Sequence, residues 1–203
     1  MTTIRPGKII GVGRNYRAHA EELGNAMPAQ PIIFIKPISA VIDPGVPIVL
    51  PAMSQKVEQE AEIGVVVLQR LHHLSVEQAE RVRIGITCVN DVTARDLQKV
   101  DGQWGRAKGF DTFCPIGPRV VEGLDWRALE IIGRVNGREV QRGKSSDMAF
   151  SIPVLLSFIS QVMTLEPGDL IATGTPAGTT VLASGDIVEV EIPGVGILRN
   201  PVA

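Results

Sequence analysis

Glu130-Ile131-Ile132-Gly133-Arg134-Val135-Asn136-Gly137-Arg138-Glu139-Val140-Gln141-Arg142 reads as two β-strands, 130–135 and 138–142, joined by a two-residue turn. Turns that match the right-handed twist of paired strands need positive φ at both central positions, and Asn-Gly accepts this at little cost. Outward from this hairpin, short Val- and Ile-rich runs alternate with turn residues. The chain carries 21 Gly and 14 Pro in 203 residues, a punctuation that suits many short strands. Toward the C-terminus strands are expected over 170–173, 187–192 and 196–200, and toward the N-terminus over 8–12, 32–35, 46–50, 58–68, 84–90 and 116–121. Three helices interrupt them. One covers 17–23 and stops at Gly24. Another opens on a Ser75/Gln78 capping box and runs to about Arg83. The third covers 153–163, where apolar residues trace one helical face. Pro167-Gly168-Asp169 and Ser184-Gly185-Asp186 read as two similar turns rather than a duplication. The fold class expected is mostly β with a few short helices (α+β), organised as one domain over residues 1–203.

Charge is nearly balanced, 20 Lys+Arg against 22 Asp+Glu, which argues against nucleic acid or an anionic membrane as partner and favours a small molecule. Cys88 and Cys114 stand alone, so neither a disulfide framework nor a cysteine-rich zinc site is expected. The stretch Met1 to Lys8 lacks an apolar signal core, and no long apolar run occurs; a soluble, cytoplasmic protein is expected.

The chemistry-bearing residues begin with Glu58-Gln59-Glu60-Ala61-Glu62. In an extended strand these three carboxylates share a face. One reading is a hydrated edge. The other is a cation site, because the following Gly64-Val65-Val66-Val67-Leu68 is apolar on both faces and carries the strand into the core, where unpaired carboxylates are costly. Asp91 ends another apolar strand and can join Glu60 and Glu62. Such an all-oxygen set suits Mg²⁺ or Mn²⁺ rather than zinc. Equally, a terminal Asp serves as a turn or cap residue.

His19 and Glu22 lie three apart on the first helix, where a carboxylate can orient an imidazole as a general base; an ordinary exposed i,i+3 contact fits as well. His72-His73 reads as surface loop. Gly11-Val12-Gly13 lacks the third glycine and the repeated βαβ units of a dinucleotide site. Lys108 is either a point charge for a substrate carboxylate or a solvated lysine, and Gly174-Thr175-Pro176 is either a ligand contact or a turn.

Taken in order, Gly13-Arg14-Asn15-Tyr16 with His19-x-x-Glu22, Phe34-Ile35-Lys36-Pro37, Glu60-x-Glu62, Asn90-Asp91-Val92-Thr93-Ala94-Arg95-Asp96, Lys108-x-Phe110-Asp111, and Thr173-Gly174-Thr175-Pro176 with Gly185-Asp186 resemble the fumarylacetoacetate hydrolase family. Within it the match is to the short single-domain acylpyruvate hydrolase and oxaloacetate decarboxylase branch, from Lys8 to Asn200. The resemblance implies a β-sandwich-like roll in a homodimer. It implies Glu60, Glu62 and Asp91 as ligands of Mg²⁺ or Mn²⁺, His19 and Glu22 as a catalytic dyad on a mobile lid, and Lys108 as the substrate-anchoring lysine. The resemblance further implies Arg14, Gln98 and Thr175 as substrate contacts. Glu58-Gln59 stands where many relatives have His, Asp or Tyr before the E-x-E, so the surroundings of the metal are expected to differ, with Glu58 at the rim. The reaction implied is hydrolysis of the C–C bond of 3-acylpyruvates, with decarboxylation of oxaloacetate or double-bond isomerisation as alternatives at the same site. A noncatalytic, metal-stabilised β module is the reading from a different class.

Overall fold

The computed structural model describes residues 5–203; the first four residues of the Met1 to Lys8 stretch lie outside them. In chain order the elements are β1 (Ile9–Gly13), α1 (Arg17–Glu22), β2 (Ile32–Lys36), β3 (Val41–Ile42), β4 (Val57–Gln59), β5 (Ala61–Val67), α2 (Val76–Ala79), β6 (Ile84–Asn90), β7 (Thr93–Ala94), α3 (Arg95–Asp101), α4 (Gly105–Lys108), β8 (Cys114–Glu122), β9 (Glu130–Val135), β10 (Arg138–Lys144), α5 (Ile152–Val162), β11 (Leu170–Ala172), β12 (Thr180–Val181), β13 (Ile187–Ile192) and β14 (Gly196–Pro201). The described residues are mostly β, with five short α-helices. A mixed sheet runs β2-β1-β11-β5-β6-β8-β3, a second runs β10-β9-β13-β14, and a third, smaller one runs β12-β4-β7.

Side-chain alternation explains the layers. Ile63, Val65 and Val67 of β5 point into a core shared with Leu155 and Ile159 of α5 and with Val190 and Leu198 of the second sheet. Val66 faces the opposite side with Ile9, Val89, Cys114 and Ile116. Both faces of the central strands are covered, which is why their sequences are apolar throughout. The hairpin forms as read: Asn136 and Gly137 have φ of 53° and 76°, and β9 and β10 pair in antiparallel register with one irregularity between Glu139 and Gln141.

Three expectations need correction. Residues 58–68 are two strands: β4 belongs to the small sheet, β5 to the large one, and Glu60 stands at the joint. Residues 46–50 make no strand beyond a single bridge from Ile48 to Val202. Pro47 has no N–H to give, and the Val46 carbonyl and Val49 N–H are taken by the Asn200 amide and the Thr112 hydroxyl. The Ser75/Gln78 capping box is present, but its α-helix ends at Ala79, short of Arg83.

Candidate active site

The joint at Glu60 is fixed by β6. The Glu60 N–H donates to Asn90 Oδ1 at 3.0 Å, and the Glu60 carbonyl accepts from the Asp91 N–H at 2.9 Å. Because β5 and β6 run antiparallel with Ala61 opposite Asn90, Glu60 and Glu62 arrive at the end of the strand pair where Asp91 leaves it. One oxygen from each of the three lies within 4.8 Å of the others. All three are buried.

Cations close in on two of these carboxylates. Lys108 Nζ donates to Glu60 Oε2 at 2.8 Å, to Asp91 Oδ2 at 2.5 Å and to Thr93 Oγ1 at 2.8 Å. Lys36 Nζ takes the other Asp91 oxygen at 2.5 Å. Arg95 bridges Glu60 Oε1 at 2.5 Å, Glu58 Oε2 at 2.8 Å and Gln98 Oε1 at 2.7 Å. Lys108 is only 3 % exposed, which removes the solvated-lysine reading. Glu62 is different: it accepts the Gly174 N–H at 2.8 Å, and no cationic side chain among the described residues is bonded to it.

This asymmetry sets the protonation pattern. Burial opposes ionisation of Glu60, but Lys108 and Arg95 outweigh it and hold its carboxyl well below the ordinary range. For Glu62, burial together with the negative charges of Asp91 and Glu60 pushes the carboxyl well above it. A buried, all-oxygen cluster with one carboxylate short of a counter-charge is the donor set a hard divalent cation fits. Glu60, Glu62 and Asp91 are therefore the residues that could hold Mg²⁺ or Mn²⁺.

His19 lies on α1, 6 % exposed, with its Nδ1 3.0 Å from Glu22 Oε2. Glu22 is held in turn by the Gly178 N–H at 3.0 Å. The start of the helix is tied to the core by Asn15, whose amide donates to the Thr173 and Phe150 carbonyls at 2.8 and 3.1 Å and accepts from the Phe150 N–H at 2.8 Å. A cleft of about 580 Å³ is lined by His19, Glu22, Glu60, Glu62 and Lys108, by Arg14, Arg95, Gln98 and Thr175, and by an apolar wall of Val12, Gly13, Leu23 and Trp104. Every candidate read from the sequence lines it except Asp91, which lies beneath, 1 % exposed. Arg14 stands at φ 57°, a strained value for a residue with a side chain.

Residues 8–203 match the family model described as the fumarylacetoacetate (FAA) hydrolase C-terminal domain. The chain belongs to the fumarylacetoacetate hydrolase family. It is 43 % identical over 188 residues, 90 % of this chain and 88 % of the other, to the mitochondrial oxaloacetate tautomerase fahd-1 of Caenorhabditis elegans. To the mitochondrial oxaloacetate tautomerase FAHD2A of Homo sapiens it is 40 % identical over 210 residues, 98 % of this chain and 67 % of that one. Among solved structures, the 5-carboxymethyl-2-hydroxymuconate delta-isomerase of Mycobacterium smegmatis superposes with a TM-score of 0.91 at 46 % identity, covering 98 % of this chain and 80 % of that one. The members so named are enzymes, and the fold is the family's.

Against the family pattern, Glu58 is not a rim residue. It is 5 % exposed; Arg95 and Lys56 neutralise it and the Thr179 hydroxyl donates a hydrogen bond to it. Lys36 and Arg95 sat inside the family motifs without a role in the sequence reading. The available signal for Lys36 was its place at the end of an apolar strand, Ile32–Lys36, the same placement that singled out Asp91. The Thr175 hydroxyl, read as a ligand contact or a turn, donates to the Ala61 carbonyl at 2.9 Å and accepts from Gln141 Nε2 at 2.8 Å. Gln141 was not singled out at all.

Proposed function

We propose that this family member is a divalent-metal-dependent enzyme that moves a proton at the carbon beside the keto group of small 2-keto acids, interconverting the keto and enol forms of oxaloacetate or a close analogue. One observation carries the reading: a buried imidazole, its Nδ1 engaged by a carboxylate, lines the same cleft as Lys108 and as Glu60 and Glu62, the two carboxylates that Asp91 completes into a triad. The names of the two tautomerase relatives support the reaction class.

With Nδ1 held by Glu22, the imidazole has Nε2 for proton transfer. In the keto-to-enol direction His19 accepts the C3 proton, the C3–H electron pair becomes the C2–C3 double bond, and the C2 oxygen takes up a proton; the reverse reaction retraces this. Glu60, Glu62 and Asp91 would hold a Mg²⁺ or Mn²⁺ ion, which would supply Lewis-acid stabilisation of negative charge on the keto oxygen. Lys108 stays protonated, because Asp91 and Glu60 outweigh its burial, and adds positive charge on the same side. Arg14 enters the cleft with no partner for its guanidinium among the described residues, which suits an anionic group of the substrate. Trp104 and Leu23 bound the space for the remainder.

A second reading is hydrolysis of 3-acylpyruvates, and it draws on the accessibility of Glu22, whose side chain is 36 % exposed. Water reaching the dyad there could be deprotonated for attack on a distal carbonyl. The two readings separate in one experiment: follow the ultraviolet absorbance of enolic oxaloacetate, and in parallel the cleavage of acetylpyruvate, with wild type and His19→Gln in Mg²⁺. Tautomerisation accelerated by wild type and slowed roughly 100-fold or more by His19→Gln supports the proposal. Rapid cleavage of acetylpyruvate without any acceleration of tautomerisation would replace it with the hydrolase.

A further inference from the structure

Only Ala61 separates Glu60 from Glu62, so the placement of its peptide groups sets where the two carboxylates point. On one side β5 pairs with β6 along its whole length. On the other, its pairing with β11 stops at Gly64 opposite Ala172, and among the described residues no strand pairs with the edge that carries Ala61. A buried N–H and C=O there need partners. Two side chains supply them. The Ala61 N–H donates to Gln141 Oε1 at 2.9 Å, and the Ala61 carbonyl accepts from Thr175 Oγ1 at 2.9 Å. Gln141 Nε2 then closes the loop by donating to Thr175 Oγ1 at 2.8 Å and to the Pro176 carbonyl at 2.6 Å.

Local sequence features bring Gln141 to this place. The register of β10 against β9 shifts between Glu139 and Gln141; such a bulge re-aims the side chains after it, and Gln141 is 1 % exposed while Glu139 is exposed. Gly133, opposite on β9, leaves the room: a Cβ there would lie 3.0 Å from the Ala61 Cβ and 3.1 Å from Gln141 Oε1. The segment Gln141 grips also carries the Gly174 N–H that binds Glu62 and the Gly178 N–H that binds Glu22.

We propose that Gln141 is a positioning residue: it substitutes for a missing strand partner at Ala61 and thereby holds Glu60 and Glu62 in the relative placement that metal binding requires. The inference rests on the metal reading of the acidic triad. Groups that orient metal ligands typically contribute 10- to 100-fold to metal affinity, and that is the effect expected here.

The test is Mn²⁺ affinity, read from the electron paramagnetic resonance signal of free Mn²⁺, for wild type, Gln141→Met, Thr175→Val, the double variant and Thr87→Val. The last, on β6 opposite Gly64 and three residues along the strand pair from Ala61, removes a buried hydrogen bond to the Gly117 carbonyl and controls for general loss of stability. Affinity should fall about 10- to 100-fold in each single variant at the bridge, with the double variant no worse than the weaker single because both break one linkage. Thr87→Val should melt at lower temperature yet bind Mn²⁺ as wild type does. Wild-type affinity in Gln141→Met, or an equal loss in Thr87→Val, overturns the role given to Gln141; should Gln141→Met not fold, wild-type affinity in Thr175→Val overturns it instead. If wild type and Thr87→Val bind no Mn²⁺, the metal reading itself fails and takes this inference with it.

Discussion

Lys36 and Lys108 approach Asp91 from its two oxygens, and Lys36 has no exposed surface with which to recover hydration if that pairing is lost. Removing Lys36 strips one Asp91 oxygen of its partner while Lys108 still holds the other, so Lys36→Met should destabilise the fold by about 1–3 kcal/mol in denaturant unfolding without metal; no measurable loss would mean that the freed oxygen finds another partner. Glu58 gives a pH prediction. Burial opposes its ionisation, but Arg95, with hydrogen bonds from Lys56 and Thr179, leaves its carboxyl below the ordinary 4.5. The folded state therefore holds this proton less tightly than the unfolded chain does. Its stabilisation is fully present above about pH 4.5 and is lost as pH falls through the lowered folded value. Urea midpoints measured across the acid range should fall less steeply for Glu58→Gln than for wild type; parallel curves would remove Glu58 as a contributor. At this scale the sequence disclosed carboxylates and the imidazole, because a charged residue on a strand leading into the core, or three positions from a carboxylate on a helix, is conspicuous. Arg95, Lys36 and Gln141 were hidden because their function depends on which group they meet across the fold, which spacing along the chain does not encode.

Elements were legible where one local rule dominates. Asn136-Gly137 named its own turn, and Ser75 with Gln78 named its own cap. A Cβ at Gly137 meets nothing within 4 Å, yet φ is 76°, so Gly137→Ala isolates backbone strain and should cost on the order of 1–2 kcal/mol by chemical unfolding; no change would mean that the turn relaxes freely. The helices α3 and α4 went unread for the converse reason. α3 buries no side chain, and its Val100 is 79 % exposed, so there was no apolar stripe for periodicity to reveal. The split of 58–68 into β4 and β5 was equally silent, since a strand passing from one sheet to another keeps its alternation on both sides of the joint. Only the partners of Glu60 and Ala61, contributed by β6, β10 and the segment after β11, disclose it.

At the scale of the molecule, the sheets wrap two faces of a central apolar layer, and the candidate site residues collect at the strand ends where β5, β6 and β11 part. No helix among the described residues is long and apolar enough to cross a membrane. Both cysteines are buried and free, and burial pushes each thiol up to about 12. Neither should react with a thiol reagent in mildly alkaline buffer until denaturant is added, when both should react; fast labelling of the native protein would show that the core opens. The family resemblance was readable from ordered motifs because so many loops and strand ends converge on one cleft. The choice of reaction was not, since proton transfer and hydrolysis call on the same side chains. The most direct test is to strip metal from the protein and follow oxaloacetate tautomerisation while adding back Mn²⁺ to wild type and to Glu62→Gln. The account predicts a rate that is low without metal, recovers in wild type on saturation of one site, and stays low in Glu62→Gln; full activity in the stripped protein, or equal recovery in the variant, would contradict it.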